Sequence, residues 1–346
     1  LHDALPISLG HIGTAKFVTA ILHNISRQGL PDINAIQNPI QRLSVEASLP
    51  VWLIETLVEQ NGEAKTRQII GSINDAPAQA IRVNTVLSTD EAVEQALLDE
   101  HFTFVKSKVA DHAYVVTGGH VAGSKAYQDG LLTLQDESAM LPVEALQITT
   151  QVKTVLDAAA APGGKTTQIA QYIADDATIT ALDIHAHKIR LIEANAKRLH
   201  VSDKITAQVL DARQTANQLT TKFDRILVDA PCSGFGLLRR KPEIRYDKTL
   251  EDVMSLASLQ GEILDSVSQN VADNGMIVYS TCTILRQEND DVIARFLSKH
   301  TDFELVPTMT SKALKSNRQE TVLHIYPNDY HTDGFFVATL KKKTVQ

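Results

Sequence analysis

Cysteine is scarce in this chain: its 346 residues include only two, Cys232 and Cys282. Two thiols cannot build the disulfide framework that stabilises small secreted domains. No stretch has the pattern of a secretory signal either. The sequence therefore predicts a protein of a reducing compartment, the cytoplasm.

Long hydrophobic runs, an excess of basic charge and metal-ligand motifs are also missing. No apolar run approaches about 18 residues, so no membrane-spanning helix is predicted. The formal net charge is −8, which argues against a general nucleic-acid coat protein but allows a local basic groove. The 12 histidines form no H-E-x-x-H pattern and no Cys–His cluster with zinc spacing, so we predict no metal.

The period of the apolar residues divides the rest of the chain into three segments. The stretch "LHDALPI" at the start has no structural pattern, and we exclude it as a truncated or foreign N-terminus. Helical periodicity extends to about residue 75, in helices that end near Gly29 and Gly62. Residues 76–126 predict a small α+β module, with a helix capped by Ser88 or Thr89.

Residues 127–346 form the third segment, in which strand-like and helical stretches alternate regularly from Val152 onward. Such alternation predicts an α/β fold with a parallel, doubly wound sheet. Ligands of these sheets bind at the carboxyl ends of the strands. Both cysteines follow a predicted strand and are therefore expected at that edge.

The stretch "LDAAAAPGGKTTQIA" predicts a ligand-binding loop between a strand and a helix. Small residues let a ligand approach the backbone, and a helix N-terminus favours a negative group. A tight turn without a ligand is the alternative, since the loop matches neither G-x-G-x-x-G nor G-x-x-x-x-G-K-[ST]. The candidate cofactor-binding residues are Ala159, Ala160, Ala161, Pro162, Gly163, Gly164 and Lys165.

Acids at four successive strand ends favour the ligand-binding interpretation of this loop over the tight turn without a ligand. Asp157 precedes the loop, and Asp183, Asp211 and Asp229 each end a later strand. Each acid alone is equally well explained as a helix cap. Together they describe a nucleoside pocket, in which Asp183 accepts from ribose hydroxyls and Asp211 meets an adenine amine. Because no triphosphate motif accompanies them, we predict S-adenosylmethionine as the cofactor.

The two cysteines have a functional and a structural interpretation. A single Cys at a strand end is usually a small buried hydrophobe. Here both are expected beside a methyl donor. A reactive thiol needs partial exposure and a lowered pKa, which nearby Lys or Arg side chains supply.

A basic run, "RRKPEIRYDK" at residues 239–248, follows Cys232. A solvated loop is the simple explanation. The functional explanation is a phosphate clamp next to Cys232. The candidate RNA-binding residues are Arg239, Arg240, Lys241 and Arg245.

Four stretches together resemble the RNA cytosine-5 methyltransferases: "DAAAAPGGKTTQIA", "ALDIH", "LVDAPCSGFGLLRRKPEIRY" and "VYSTCTILRQEND". The segments "IRVN" and "YQDGLLTLQDESAMLPVEAL" resemble the usual upstream parts of the family. "GTAKFVTAILHNISRQGL" is similar to the last helix of the NusB-like RNA-binding domain that opens the 16S ribosomal RNA (RsmB) type. The chain departs from the family at Ala159, where relatives often have Cys, and most of the NusB-like domain is missing.

The resemblance implies a Rossmann-like methyltransferase domain at 127–346, an RNA-recognition module at 76–126 and a NusB-like remnant at 1–75. It implies methylation of carbon 5 of a cytosine in 16S rRNA, of the position-967 type. It assigns the attacking thiol to Cys282 and the release of the product to Cys232. Asp229 is implied to hold the cytosine, and Lys165 to lie near the cofactor or the target base.

Two other functions stay open from the sequence. A methyltransferase of transfer RNA, another RNA or a protein has the same core motifs. A non-catalytic RNA-binding assembly factor is the other, although both cysteines and the strand-end acids are present. The expected partner is 16S rRNA before full ribosome assembly, bound by a monomer without membrane or metal.

Overall fold

A computed structural model describes residues 12–29, 32–316 and 318–344, so the stretch "LHDALPI" lies outside the described residues. Three helices come first: α1 (Ile12–Gln28), α2 (Pro39–Ala47) and α3 (Val51–Ser72). α3 bends at Gly62, whose φ of 76° is not helical, so the two helices predicted on either side of it form one bent element. α2 was not predicted. α1 buries none of its residues, so the expected packing of its apolar face is not found within the described part.

Helices α2 and α3 pack against the largest part of the molecule. Leu43 and Leu53 share a buried cluster with Phe235, Leu238 and Tyr326. Residues 235 and 238 lie only a few positions after Cys232. This apolar contact therefore holds the loop that follows the first cysteine.

A small antiparallel sheet follows, in the strand order β2-β3-β1-β4. Its elements are β1 (Gln79–Val83), α4 (Asp90–Asp99), β2 (Thr103–Lys106), β3 (Ala113–Thr117), α5 (Lys125–Gln128) and β4 (Leu132–Leu134). Thr89 is the residue that caps α4, because its side chain accepts from the Ala92 N–H. β4 pairs with β1, so this sheet extends beyond residue 126 to Leu134.

The large sheet has the strand order β10-β12-β9-β8-β5-β6-β7, with β11 added to β12. Its strands are β5 (Thr154–Asp157), β6 (Thr178–Asp183), β7 (Ile205–Val209), β8 (Phe223–Asp229), β9 (Val271–Thr281), β10 (Phe303–Val306), β11 (Leu323–Ile325) and β12 (Phe335–Lys342). The helices around it are α6 (Glu137–Ala145), α7 (Gly164–Tyr172), α8 (Ala186–Arg198), α9 (Thr215–Gln218), α10 (Ile244–Asp247), α11 (Leu250–Ser268), α12 (Asp290–Lys299) and α13 (Pro327–Tyr330).

The predicted parallel sheet is correct for β5 to β9 and wrong for the last strands. Neighbouring pairs among β5 to β9 are parallel, whereas β12 runs antiparallel to β9 and β10 antiparallel to β12. β12 starts at the carboxyl edge, where the Gly334 N–H donates to the Gly236 carbonyl at 2.9 Å. From this edge the strand can only run back along β9. The sheet is therefore mixed.

The central parallel strands, β8 and β9, are buried on both faces over most of their length, which explains their nearly continuous apolar sequences. Ile226, Leu227 and Val228 of β8 are fully buried, as are Ile277 and Val278 of β9. Polar residues begin where these strands end. The core therefore brings the strand-end acids and both cysteines to one edge. No helix of the described ranges is long and apolar enough to cross a membrane.

Candidate active site

A groove runs along the carboxyl ends of β5, β6, β8 and β9. Its larger part has a volume of about 350 Å³ and joins a smaller part through Ala159, Ala161 and Asp229, which line both. The predicted site residues that line it are Ala159, Ala160, Ala161, Pro162, Gly164, Lys165, Asp183, Asp211, Asp229, Cys232 and Cys282. The fold thus assembles in one place the two predicted sets, the cofactor residues and the thiols.

The loop between β5 and α7 forms one wall of the groove. It is held by backbone hydrogen bonds, including one of 2.8 Å from the Ala160 N–H to the Leu182 carbonyl. Gly163 precedes α7 with a φ of 102°, and a Cβ there would lie 3.1 Å from the Ile192 Cα. Gly163 does not itself line the groove. Its role is to let the loop turn tightly against α8 so that Gly164 and Lys165 face the groove.

Asp157 lies at the bottom of the groove and is almost fully buried. Its Oδ2 accepts a hydrogen bond of 2.7 Å from the Thr166 hydroxyl, whereas its Oδ1 has no partner among the described atoms. Burial raises the pKa of this carboxyl to about 6. Because Asp157 lines the groove, this oxygen is a candidate acceptor for a donor group of a ligand.

Asp183 and Asp211 line the wider part of the groove, and both also cap the chain that follows them. Asp183 accepts from the His185 N–H at 2.9 Å. Asp211 accepts from the Arg213 N–H and forms an ion pair of 2.7 Å with its guanidinium. The hydrogen bond from Arg213 lowers the pKa of Asp211. The two explanations weighed from the sequence, cap and ligand group, are therefore compatible at both positions.

Lys165 and Asp229 form an ion pair at the junction of the two parts. The Lys165 Nζ lies 2.7 Å from Asp229 Oδ2, and the Ser280 hydroxyl donates to Asp229 Oδ1 at 2.8 Å. Burial opposes the ammonium charge, but the Asp229 carboxylate outweighs it, and the pKa of Lys165 is raised. Lys165 and Ser280 therefore fix the orientation of the Asp229 carboxyl group beside the thiols.

The two cysteines face each other across the groove. Their Sγ atoms are 3.2 Å apart, and both thiols are free and half-buried. The hydrogen bond between the two thiols, together with burial, raises the pKa of Cys232 well above the ordinary value of a cysteine thiol. The expectation of a pKa lowered by Lys or Arg is therefore wrong for Cys232.

A buried acid beneath the thiols, Glu288, was missed from the sequence. It accepts from the backbone N–H of Ser233 at 2.8 Å and from Gln260 at 3.0 Å. Burial raises its pKa. Because Ser233 directly follows Cys232, Glu288 fixes the backbone that carries this thiol. Glu288 lies in "RQEND", six residues after Cys282. In the sequence, only this short distance from the cysteine indicated a role at the site.

Comparison with known proteins decides the family. A family model described as "16S rRNA methyltransferase RsmB/F" matches residues 144–341. The chain belongs to this family. A second model, for the ferredoxin-like domain of RsmF/B-like methyltransferases, matches residues 49–121, so it covers α3 together with most of the small sheet.

Individual members of the RsmB/F family and solved structures agree. The chain is 38% identical to the "Probable ribosomal RNA small subunit methyltransferase B" of Bacillus subtilis, over 99% of this chain and 78% of that protein. It is 37% identical to the "Ribosomal RNA small subunit methyltransferase F" of Serratia proteamaculans, over 64% of this chain and 47% of that protein. A methyltransferase homologue from Pyrococcus horikoshii superposes with a TM-score of 0.76 at 26% identity, over 88% of this chain and 99% of that one.

S-adenosylmethionine is the cofactor of the RsmB/F family, and the groove fits it. The amino-acid end of this molecule carries an ammonium and a carboxylate. The unpartnered Oδ1 of Asp157 suits the ammonium. The wider part, with Asp183 and Asp211, has room for the nucleoside. No group of His, Cys, Asp or Glu among the described residues has the arrangement of a metal site.

The basic run differs from its predicted role as a phosphate clamp. Arg240 forms ion pairs with Asp136 at 2.7 Å and Asp333 at 2.6 Å. Arg245 is buried and donates to the backbone carbonyls of residues 47 and 73. Arg239 donates to two carbonyls near β12. The three arginines of the predicted clamp thus bond to groups within the protein, although Arg240, like Lys241, is still exposed.

Proposed function

We propose that the chain methylates carbon 5 of a cytosine in 16S rRNA, of the position-967 type, through a covalent adduct with Cys282. Its likeness to a small-subunit methyltransferase B over nearly the whole chain supports the target. The reaction needs no partner subunit in this proposal, and the site of action is the cytoplasm, where ribosomal RNA is modified. The three-part domain division predicted from the sequence belongs to the same proposal.

The chemistry requires two different groups. Carbon 5 of cytosine becomes nucleophilic only when a thiolate adds to carbon 6. S-adenosylmethionine supplies the methyl group. The proton left on carbon 5 must then be removed so that the bond between sulfur and carbon 6 breaks and the thiolate leaves. Cys282 performs the addition, and Cys232 serves the release.

The distance of 3.2 Å between the two sulfur atoms is the observation that carries this proposal. Because its pKa is raised, Cys232 keeps its proton, and in this proposal its thiol is the hydrogen-bond donor to the attacking sulfur of Cys282. Once the Cys282 sulfur is bonded to carbon, the largest cause of the raised pKa of Cys232 is removed. Cys232 then loses its proton more easily, at the step where a base is needed.

Asp229 and Lys165 complete the proposed target site. The cytosine edge carries an amino group that donates to a carboxylate, and a ring nitrogen that donates to it only when protonated. Asp229 is oriented by Lys165 and Ser280 at the junction between the loop and the thiols. The target base must leave its stack to reach this position.

Bisulfite sequencing tests the proposal directly. Unmodified 16S rRNA and transfer RNA are incubated with the protein and S-adenosylmethionine, and protected cytosines are mapped. We expect one protected cytosine in 16S rRNA and none in transfer RNA. Protection at a different 16S cytosine indicates the specificity of the methyltransferase F relatives. Protection only in transfer RNA, or cofactor binding without any protection, overturns the proposed target.

A further inference from the structure

Arg82 carries a charge for which the described residues provide no counter-ion. This residue of β1 is 1% exposed, so its guanidinium is buried between the small sheet and α7. Burial lowers its pKa to about 9, which still leaves it charged at neutral pH. No ion pair among the described residues includes Arg82. Buried charges are normally paired, so a lone one calls for an explanation.

All partners of the Arg82 guanidinium are neutral. Nε donates to Gln135 Oε1 at 2.9 Å, and Nη1 donates to Gln171 Oε1. Nη2 donates to the Gly164 carbonyl at 3.2 Å and to the Thr167 hydroxyl at 3.1 Å. These bonds satisfy its donors without neutralising its charge. They also link the small sheet to the first turn of α7.

Two of these partners face the groove. Gln135 and Gly164 line its smaller part together with Asp157 and Lys165. The Gln135 amide is fixed at both ends, since its Nε2 donates to Ala139 and Gln168 while its oxygen accepts from Arg82. The positive charge of Arg82 therefore lies one residue behind the groove wall, at the N-terminus of α7, where an anion is already favoured.

We propose that Arg82 is the counter-charge for the carboxylate at the amino-acid end of the cofactor and thereby couples the small sheet to cofactor binding. Asp157, with its unpartnered oxygen, takes the ammonium on the other side of the same small space. Arg82 does not touch the ligand. It is a positioning residue that acts through Gln135, Gly164 and its own field.

Two ligands that differ by the charged end separate this role from a purely structural one. S-adenosylhomocysteine carries the ammonium and the carboxylate, and 5′-methylthioadenosine lacks both. We expect Arg82→Gln to weaken S-adenosylhomocysteine binding about tenfold and to leave 5′-methylthioadenosine binding within about twofold, both measured by calorimetry. Arg82→Lys keeps the charge and should recover most of the lost affinity.

Arg198→Gln is the matched control. Arg198 also joins α8 to the small sheet through neutral acceptors, the Tyr127 and Leu132 carbonyls and the Thr133 hydroxyl. Its partners do not line the groove. This variant should change the two affinities by the same factor, if at all. An equal loss of both ligands in Arg82→Gln, like that of the control, would overturn the proposal.

A second variant keeps the test decisive if Arg82→Gln does not fold. Gln171→Glu retains the acceptor for Arg82 and places a counter-ion inside the protein. The Arg82 charge is then compensated before the ligand arrives. We expect S-adenosylhomocysteine to bind about fivefold or more weakly, with 5′-methylthioadenosine unaffected. Unchanged binding of S-adenosylhomocysteine in a folded Gln171→Glu variant would contradict the role given to Arg82.

Discussion

At the scale of single residues, the site depends on two side chains, one with an unusual hydrogen-bonding state and one with an unusual protonation state. Asp157 has a carboxylate oxygen without a donor, and Cys232 holds its proton because Cys282 faces it. The sequence predicted the position of each of these residues, since each follows a buried strand. It did not predict their protonation, because burial and facing partners depend on segments distant in the chain.

The first prediction concerns Asp157 and pH. Burial raises its pKa to about 6, so the carboxyl is neutral below that pH and ionised above it. Only the ionised form attracts the cofactor's ammonium. Affinity for S-adenosylhomocysteine should therefore rise about tenfold between about pH 5 and pH 7, by calorimetry.

Asp157→Asn is the control for this titration. The amide has no charge at any of these pH values, so binding should be weaker and independent of pH. A wild-type affinity that is the same at both ends of the range, or a variant that keeps the full pH dependence, would remove Asp157 from the cofactor site.

At the scale of elements, the cofactor loop depends on one glycine and not on its neighbour. Gly163 has a φ of 102° and its Cβ position lies 3.1 Å from the Ile192 Cα, whereas a Cβ at Gly164 meets no atom within 4 Å. Gly163→Ala should lower the free energy of unfolding by about 1–3 kcal/mol, and Gly164→Ala should leave it within about 0.5 kcal/mol. Urea unfolding of the ligand-free protein measures both. Equal effects would show that the tight turn does not need a glycine.

The segment 239–248 shows how a local pattern misled the sequence prediction. Its charges suggested a phosphate clamp, but the partners of Arg240 and Arg245 come from residues about 90 to 200 positions away. Burial, assisted by Asp136, raises the pKa of Asp333 to about 6, and Arg240 opposes that shift. No feature within ten residues distinguishes an arginine with such distant partners from one without them.

Arg240 and Lys241 provide a matched pair for this segment. Arg240→Ala leaves two buried acids without their cation and should lower the free energy of unfolding by about 2 kcal/mol or more. The salt dependence of RNA binding should stay unchanged. Lys241→Ala should leave stability unchanged and reduce the slope of log affinity against log salt by about 1. If Arg240→Ala instead flattens the slope without loss of stability, its guanidinium contacts RNA.

At the scale of the whole molecule, the fold brings helices α2 and α3, the small sheet and the strand ends of the large sheet together around the groove. The alternation of strands and helices predicted β5 to β9 and thus the place of the groove. It did not predict that β12 and β10 run antiparallel, since strand direction depends on where the preceding segment lies. Nor did it reveal that α2 and α3 hold the loop after Cys232, or that β1 supplies a charge behind the cofactor loop.

In the proposed reaction, the two cysteines perform different steps. Cys282→Ala removes the nucleophile, so neither methylation nor a covalent adduct should form. Cys232→Ala permits attack and methyl transfer but blocks release, so a protein–RNA adduct should accumulate.

A denaturing gel after boiling in detergent measures this directly, with 16S rRNA and S-adenosylmethionine present together or singly. We expect a slowly migrating band only for Cys232→Ala and only with both substrates present. A band from Cys282→Ala instead would exchange the two roles. Full methylation by both variants without any band would contradict the covalent mechanism.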